Sequence, residues 1–263
     1  MINFCSYFDK NYLAKFLNLR SSLENFNFKY TFYILCLDDF SVNFFKKNNF
    51  NNTIIITLNE IENEYKELLD IKKNREIIEY YFTLSPFLPK YIFEKKGIKQ
   101  ISYLDSDFYF FQSPKKIIQE NIDCSVTLIQ QNVDERYGKY NVGWINFNFD
   151  YNETIIIVNE WGNECLNECT DIPNNNSYAD QKYLDKWVMK LKYLRVFQPE
   201  YTCLSPWDSN SVIEENKESM IAFHFHGLEL YESNFTSGFY QFNKKNNQKI
   251  INRIYIPYIK NLI

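Results

Sequence analysis

The sequence predicts an α/β protein whose mainly parallel sheet is flanked by helices. Apolar runs of strand length alternate with longer segments of helical periodicity, and this alternation is typical of successive βαβ units. A chain of 263 residues is also long enough to bury a substantial core. We predict a single domain over residues 1–263, with residues 235–263 as a C-terminal helical extension.

The first part of the chain supplies three predicted strands and the helices around them. The strands are the apolar runs INFCSYF, YTFYILCLDD and NTIIITL. The segment NYLAKFLNLRSSLENF, between the first two, has leucine and phenylalanine at helical spacing. Two more helices are predicted from EIENEYKELLDIKKNREIIEYYF and LSPFLPKYIFEKKG, the second with Pro86 in its first turn and Gly97 at its end.

The remaining strands place polar residues where α/β proteins bind ligands. We predict strands at KQISYLDSD, CSVTLIQ, VGWINFN and MIAFHFHG, and helices at ETIIIVNEWGNECL and YADQKYLDKWV. In parallel α/β sheets, ligands bind beyond the carboxyl ends of the strands, near the point where the strand order reverses. Polar residues that follow these strands are therefore the first candidates for a site.

Charge, cysteine spacing and hydropathy argue against several classes of protein. The net charge is −4, from 29 Lys and Arg against 33 Asp and Glu, so nucleic acid is a poor candidate as a partner. The six cysteines lack the paired short spacings of a zinc site, so we expect reduced and mostly buried thiols. No apolar stretch reaches the roughly 18 residues of a membrane span, and we expect a soluble, cytoplasmic protein. The apolar C-terminal segment IINRIYIPYIKNLI either packs on the domain or touches the inner face of a membrane.

Two aspartates follow the predicted strand QISYL. Asp105 and Asp107 are separated by one residue and flanked by aromatic residues. Like charges beside desolvating rings repel each other, so the pair either faces water in a solvated turn or shares a cation. Residues i and i+2 of a strand project to one face, roughly 6.5 to 7 Å apart, so both carboxylates can reach one ion. Their oxygens suit magnesium or manganese.

Three further segments carry candidate site residues. His224 and His226, the only histidines of the chain, would share one face of a strand and could complete a carboxylate metal site. Gly143 in YNVGWINFN indicates either a strand bulge or the close approach of another group, and the neighbouring Asn141 suits a sugar hydroxyl. Asp180 in YADQKYLDKW either caps a helix or reaches into a cleft with the next residue.

The ordered set of these segments resembles a known family. FCSYFDKNYLAKFLNLRSSL, YILCLDD, SPFLPKYIFEKKGIKQISYLDSDFYFFQSP, YNVGWINFN, YADQKYLDKW and HFHG are similar to segments of the GT-A fold nucleotide-sugar glycosyltransferases. The resemblance is greatest to glycosyltransferase family 8 and to bacterial sugar transferases of surface-polysaccharide synthesis, and it covers residues 3 to about 230. It implies metal-dependent transfer of a sugar from a nucleotide diphosphate donor, a UDP-sugar, to a hydroxyl of a surface glycan or glycolipid.

The resemblance also implies a role for several individual residues. Asp107 would bind the metal directly, Asp105 would contact the metal and the donor ribose, and His224 would be the third ligand of manganese or magnesium. Tyr7 and Asp9 would hold the nucleotide base. In the same family, residues equivalent to Asn141, Gly143, Asp180 and Gln181 lie beside the donor sugar, and we take the last two as catalytic candidates.

One departure from the family pattern leaves the diphosphate contacts open. The family 8 histidine motif continues into Lys-Pro-Trp, whose lysine contacts the diphosphate, whereas this chain reads HFHGLELYES. We expect His226 or a basic residue such as Arg75 to take that role. A sugar nucleotidyltransferase and a non-catalytic glycan-binding protein remain alternatives, although the first would require a glycine-rich basic loop near the N-terminus. Family 8 enzymes retain configuration, and an inverting enzyme would require a base, for which Asp180 is the candidate.

Overall fold

The computed structural model describes residues 1–174, 176–208, 213, 215, 219–231, 234–236 and 248–262. Its central sheet has seven strands and is flanked by helices, which confirms the predicted α/β class. The division into one domain and a C-terminal extension stays a prediction. Within that extension, residues 237–247 and 263 lie outside the described residues.

The central sheet is parallel except for one strand. Its strands are β1 (Ile2–Phe8), β2 (Tyr30–Cys36), β3 (Thr53–Thr57), β4 (Gln100–Leu104), β6 (Val126–Gln130), β7 (Tyr140–Asn148) and β8 (Leu194–Phe197). They lie in the order β3-β2-β1-β4-β7-β6-β8. Only β7 runs against its neighbours, so the other six strands end at the same edge of the sheet.

Two smaller sheets lie beside the central one. Strands β5 (Phe108–Phe110), β9 (Cys203–Leu204) and β10 (Ala222–His224) form a sheet in the order β5-β10-β9. Strands β11 (Glu229–Tyr231) and β12 (Asn234–Thr236) form a two-stranded ribbon. The sequence analysis predicts β10 but neither β5 nor β9, which are only three and two residues long.

The helices differ from the prediction at residues 39–48 and 115–119, where no helix was predicted, and between residues 58 and 83. The described helices are α1 (Leu13–Glu24), α2 (Asp39–Asn48), α3 (Leu58–Glu64), α4 (Glu67–Asn74), α5 (Ile77–Thr83), α6 (Phe87–Lys96), α7 (Lys115–Gln119), α8 (Asn152–Asn167) and α9 (Trp187–Lys190). The single helical region predicted before Thr83 is therefore divided into three helices. The predicted YADQKYLDKWV helix is a 3₁₀ turn, Lys182–Lys186, followed by α9.

The C-terminal segment packs beside the small sheet of β5, β9 and β10. Helix α10 joins Gln248–Ile250 to Ile256–Lys260 through a π-helical turn, Ile251–Tyr255. Its side chains Ile254, Tyr255 and Tyr258 are buried, and the ring of Tyr258 stacks on Phe225 with a centroid distance of 3.7 Å. Of the two alternatives for this segment, the structure supports packing. Among the described residues, no helix is long and apolar enough to cross a membrane.

Candidate active site

The two predicted metal-binding aspartates lie in the turn that joins the central sheet to the small sheet. Strand β4 ends at Leu104, and the backbone N–H of Asp105 donates to the carbonyl oxygen of Gly143 in β7 at 2.9 Å. The backbone oxygen of Asp107 accepts from the N–H of Phe225, just after β10, at 2.9 Å. The carboxylates therefore converge because a turn brings two sheets together, and the expectation that both lie on one strand is wrong.

His224 ends β10 and lies between the two carboxylates. Its Nε2 atom is 3.1 Å from Oδ1 of Asp107 and 3.7 Å from Oδ2 of Asp105. The His224 and His226 rings are 5.5 Å apart, and potential ligand atoms of Asp107, His224 and His226 all lie within 4.8 Å of one another. The structure thus brings the predicted metal residues together and adds His226 to the potential ligands.

Asn141 and Gly143 support this group from β7. Asn141 is 2% exposed; its Nδ2 atom lies 3.5 Å from Nδ1 of His224, and its Oδ1 atom accepts from the N–H of Gly143 at 2.8 Å. A Cβ on Gly143 would lie 2.6 Å from the Phe108 ring and 2.9 Å from Oδ2 of Asp105. Glycine is therefore required by close approach, and both residues pack beside the candidate metal-binding group of Asp105, Asp107, His224 and His226.

A cavity of about 1140 Å³ opens where the parallel strands end. Of the predicted site residues, those that line it are Tyr7, Asp9, Asp105, Asp107, Asp180, Gln181, His224 and His226. The lining residues that the structure describes include seven aspartates, at positions 9, 105, 107, 134, 171, 180 and 208, and no lysine or arginine. A cavity with this lining attracts cations and repels a free phosphate group.

Tyr7 and Asp9 lie at the end of β1. The hydroxyl of Tyr7 is 3.2 Å from Oγ of Ser85, in the turn before α6. Oδ1 of Asp9 accepts from the backbone N–H groups of Asn11 and Tyr12 at 2.9 and 3.2 Å, which holds the turn into α1. Tyr7 is thus fixed at the cavity wall by a contact with a distant turn, and Asp9 by contacts within the strand-to-helix connection.

Asp180 reaches the cavity through a strained backbone. The preceding residue, Ala179, has φ of +47°, in the left-handed region that a residue with a Cβ rarely adopts. Asp180 is only 2% exposed, and its pKa is raised from 3.8 to about 7, first by burial and then by the nearby charge of Asp105. Of the two alternatives for Asp180, the structure supports the cleft residue.

The side-chain amide of Gln181 holds two backbone segments together. Its Nε2 atom donates to the carbonyl oxygen of Tyr137 at 2.8 Å, and its Oε1 atom accepts from the N–H of Val142 at 3.2 Å. An amide has two N–H donors and two acceptor lone pairs, so one of each remains for a ligand. Gln181 can therefore position β7 and still contact a sugar hydroxyl.

Comparisons with known proteins identify the fold. No protein-family model matches the chain. Two Bacillus subtilis (strain 168) proteins described as uncharacterized are 25% identical: YfnF, over 88% of this chain and 83% of its own length, and YfnD, over 99% and 88%. Mouse xyloside xylosyltransferase 1 superposes with a TM-score of 0.58 at 13% identity, covering 85% of this chain and 97% of that chain. The galactosyltransferase LgtC, solved with donor and acceptor sugar analogues, gives 0.54 at 13% identity, covering 85% and 86%.

This chain has the GT-A glycosyltransferase fold. The features that position the site are the central sheet, the small sheet of β5, β9 and β10, and the cavity at the strand ends. Membership of glycosyltransferase family 8 stays a prediction, because identities of this size establish the fold alone.

The charges around His224 in this GT-A protein favour a bound cation. Burial raises the pKa of Asp105 to about 6, while His224 nearby lowers the pKa of Asp107 below its usual range despite burial. Burial disfavours the charged form of His224, but the charges of Asp107 and Asp105 together outweigh burial and raise the pKa of the imidazole. Its Nε2 atom makes no hydrogen bond of normal geometry to the described residues. The two carboxylates therefore favour positive charge at this nitrogen, which a divalent ion would supply in place of the proton.

Arg75 does not lie with the other predicted site residues, and its assignment to the diphosphate is corrected. Its Nη1 atom donates to Oγ1 of Thr83 at 2.5 Å and to the carbonyl oxygen of Cys165 at 2.6 Å, and its Nη2 atom donates to the carbonyl oxygen of Leu166 at 2.7 Å. The last two acceptors are orphan carbonyls in the final turn of α8. Arg75 caps this helix from the break between α4 and α5.

The sequence analysis missed several residues of the site. The Tyr103 hydroxyl donates to Oδ1 of Asp105 at 2.9 Å and orients that carboxylate. Trp207 and Asp208 line the cavity, and the Trp207 ring lies 5.6 and 5.7 Å from the rings of the two histidines. The only signal in the sequence is the segment SPWDS, in which an aromatic and an acidic residue follow a proline.

Proposed function

We propose that this protein is a metal-dependent glycosyltransferase that moves a sugar from a UDP-sugar to a hydroxyl of a surface glycan or glycolipid. The observation that carries the proposal is the convergence of Asp105, Asp107 and His224 on one wall of a large cavity at the strand ends of a GT-A fold. The xylosyltransferase and the galactosyltransferase among the structural neighbours support sugar transfer in general.

Manganese or magnesium is the cofactor that the donor set suits. Asp107 and His224 would hold the ion together with His226 or Asp105, a mixed carboxylate and imidazole set. Bound there, the ion would balance the charge that develops on the leaving diphosphate. The lack of lysine and arginine among the described lining residues supports a metal requirement, since the described lining offers the diphosphate no side-chain cation apart from the histidines of the proposed metal site.

The remaining residues bind and orient the two substrates in this proposal. Tyr7 and Asp9, at the end of β1, face the nucleotide base, and Tyr103 fixes the carboxylate of Asp105. Asp180 and Gln181 face the donor sugar. Because the pKa of Asp180 is about 7, this carboxyl can take or hold a proton near neutral pH, as a group beside an attacking hydroxyl must.

Calorimetry of UDP binding with manganese and with excess chelator tests the proposal. We expect UDP to bind only with manganese. In a separate unfolding measurement, UDP at 100 times its dissociation constant should add about 2.7 kcal/mol to the free energy of unfolding. Equal UDP affinity in chelator would contradict the metal bridge. Slow UDP release from a UDP-sugar in water would distinguish an enzyme from a glycan-binding protein, and pyrophosphate release from UTP and a sugar phosphate would favour a nucleotidyltransferase.

A further inference from the structure

The cavity extends past the metal-binding group toward β6. In the sheet order β1-β4-β7-β6, the aspartate turn follows β4, Tyr7 lies at the end of β1, and Gln131 lies just beyond β6. Adjacent strands are about 4.8 Å apart, so β6 lies roughly 10 Å from β4, on the side away from β1. This spacing leaves room for a sugar ring on the β6 side that a nucleoside at β1 would not fill.

Four residues form the wall on this side: Gln131, Asn132, Trp207 and Asp208. Oδ1 of Asp208 accepts from Nδ2 of Asn132 at 3.1 Å, and its Oδ2 accepts from the N–H of Ser205 at 2.7 Å. Asp208 is 4% exposed, so its carboxylate is held in one orientation. The edge contacts of Trp207 with His224 and His226 connect this wall to the metal-binding group.

The polar atoms of this wall require hydrogen-bond donors. Gln131 is 6% exposed; its Nε2 atom donates to the carbonyl oxygen of Gly138 at 3.0 Å, and its Oε1 atom has no partner among the described residues. Each oxygen of Asp208 accepts one bond and can accept another. Hydroxyl groups are donors of the required kind, and an aromatic ring beside them provides an apolar surface for the C–H face of a sugar.

The charge of the cavity restricts which sugars can bind. The wall carries Asp208, and the described lining holds six other aspartates without a lysine or an arginine. A carboxylate or phosphate on the bound sugar would face these charges without a partner, which disfavours binding in a buried site. A ring that carries only hydroxyl or amide groups meets no such penalty.

We propose that Gln131, Asn132, Trp207 and Asp208 form the acceptor subsite, and that this subsite binds an uncharged sugar stacked on Trp207. The sugar hydroxyls donate to Asp208 and to Oε1 of Gln131. The assignment of this sugar as the acceptor rests on the proposed function, whereas its binding at this wall does not. The donor sugar is the competing occupant, so the test separates acceptor from donor.

Tryptophan fluorescence reports directly on this wall. Of the four tryptophans, Trp144, Trp161 and Trp187 are at most 1% exposed, and only Trp207 is partly exposed. The protein loaded with manganese and UDP is titrated with methyl glucoside, galactoside, mannoside and N-acetylglucosaminide, and with the glucuronide and galacturonide. We expect at least one neutral glycoside to change the emission and to shield Trp207 from acrylamide, and its uronic acid counterpart to bind at least tenfold more weakly. Trp207→Phe should lose the signal.

Steady-state kinetics with the bound glycoside assigns the wall to one substrate. Trp207→Ala and Asp208→Asn should each raise the KM for the glycoside roughly tenfold or more, while the KM for the donor changes less than twofold. Tyr201→Ala is the matched control, because this aromatic side chain is 70% exposed and outside the cavity lining. It should leave both constants unchanged.

Three outcomes would overturn the proposal. The first is that no neutral glycoside binds while manganese and UDP do, and the second is that uronic acids bind as well as their neutral counterparts. The third is that the variants raise the donor KM and leave the glycoside KM unchanged, which would assign the wall to the donor sugar. Lack of donor hydrolysis in the wild type would contradict the proposed function instead, and the glycoside titration would still decide whether a sugar binds at Trp207.

Discussion

The charge of single residues determines what this site can hold. Sequence reasoning predicts repulsion between Asp105 and Asp107, and the structure places His224 within 3.7 Å of both carboxylates. In the absence of metal, the two carboxylates raise the pKa of the His224 imidazole and so favour the protonated form, which would offset this repulsion. Removal of one aspartate therefore acts on both stability and metal binding.

Asp107→Asn should abolish manganese binding and lower the melting temperature of the metal-free protein. The pKa of Asp107 is below its usual range in the folded state, so its charge stabilises the fold above the unfolded pKa, and this stability is lost as the pH falls through the folded pKa. The measurement is thermal unfolding at neutral pH, with manganese and with chelator. Asp171→Asn, an exposed aspartate of the same cavity, should behave like the wild type. A full manganese-dependent rise in Asp107→Asn would exclude Asp107 as a ligand.

Asp180→Asn should stabilise the protein increasingly as the pH rises from about 5 to 8. The pKa of Asp180 is raised from 3.8 to about 7, so the folded state holds a proton that the unfolded state has lost, and stability falls with pH across this window. Asparagine removes that loss, which amounts to roughly 4 kcal/mol at most. Urea unfolding at several pH values in chelator measures the difference, with Asp171→Asn as the control. A difference that does not change with pH would show that Asp180 ionises normally.

Residue chemistry and order in the chain predicted that Asp105, Asp107 and His224 lie together, whereas contacts between other distant segments could not be predicted. Asp105, Asp107 and His224 combine metal-ligand chemistry with strand-end positions, which are visible in the sequence. Arg75 was wrongly assigned to the diphosphate, since its charge is visible but its partners at the end of α8, 90 residues later, are not. Trp207 was missed because its neighbours, the two histidines, belong to a later segment of the chain, with His224 at the end of β10 and His226 in the turn after it rather than on one strand as expected.

At the scale of elements, two glycines show how strand and helix differ in their tolerance of a methyl group. Gly143→Ala in β7 should destabilise the protein by about 1–3 kcal/mol and weaken manganese binding, because a Cβ would lie 2.6 Å from Phe108 and 2.9 Å from Asp105. Gly162→Ala in α8 should stabilise it by about 0.5–1 kcal/mol, since its nearest contact would be an ordinary 3.4 Å. Chemical denaturation and manganese titration measure both. Similar effects in the two variants would contradict the steric account.

Helix α10 should affect metal binding through Phe225, which follows strand β10 of the three-stranded small sheet. Tyr258 is fully buried and stacks on Phe225, the residue between the two histidines. Tyr258→Ala should cost about 3–5 kcal/mol and raise the manganese dissociation constant, because the support of Phe225 is lost. Tyr258→Phe keeps the ring and should change stability by less than about 1 kcal/mol. Unchanged manganese affinity in a folded Tyr258→Ala protein would show that α10 only stabilises the fold.

Most long elements were predicted, with the exception of the ten-residue helix α2, whereas several short elements were missed. The strands β1 and β7 lie close to their predicted segments, because each buries several residues in succession. β3 also lies close to its predicted segment, because TIIIT consists of β-branched residues that favour a strand. The break between α4 and α5 was missed because the helical periodicity of the sequence continues through it. At this break Arg75 is extended and caps another helix, a long-range contact that periodicity does not show. β5 was missed because three aromatic residues are too few to show a period.

At the scale of the whole molecule, the alternation of strands and helices predicted the site's location. Six strands of the central sheet end at one edge, and the cavity lies there, as expected for an α/β sheet. One part of the cavity wall, His224, belongs to the three-stranded small sheet, whose strands come from residues 108–110, 203–204 and 222–224. Their assembly is determined by long-range packing, and short-range periodicity contains no information about it.

Under the proposed function, the aspartate-rich lining makes the binding of the nucleotide and the binding of the divalent ion depend on each other. A cavity with seven aspartates and no lysine or arginine among its described residues holds a nucleotide poorly until a divalent ion is present, and the nucleotide in turn retains the ion. Because the coupling free energy is shared, each ligand must raise the affinity of the other by the same factor. At low saturation, the occupied fraction then follows the product of the two concentrations. Manganese titrated at fixed UDP, and UDP at fixed manganese, should return one coupling factor, and two unequal factors would mean that further ligands take part.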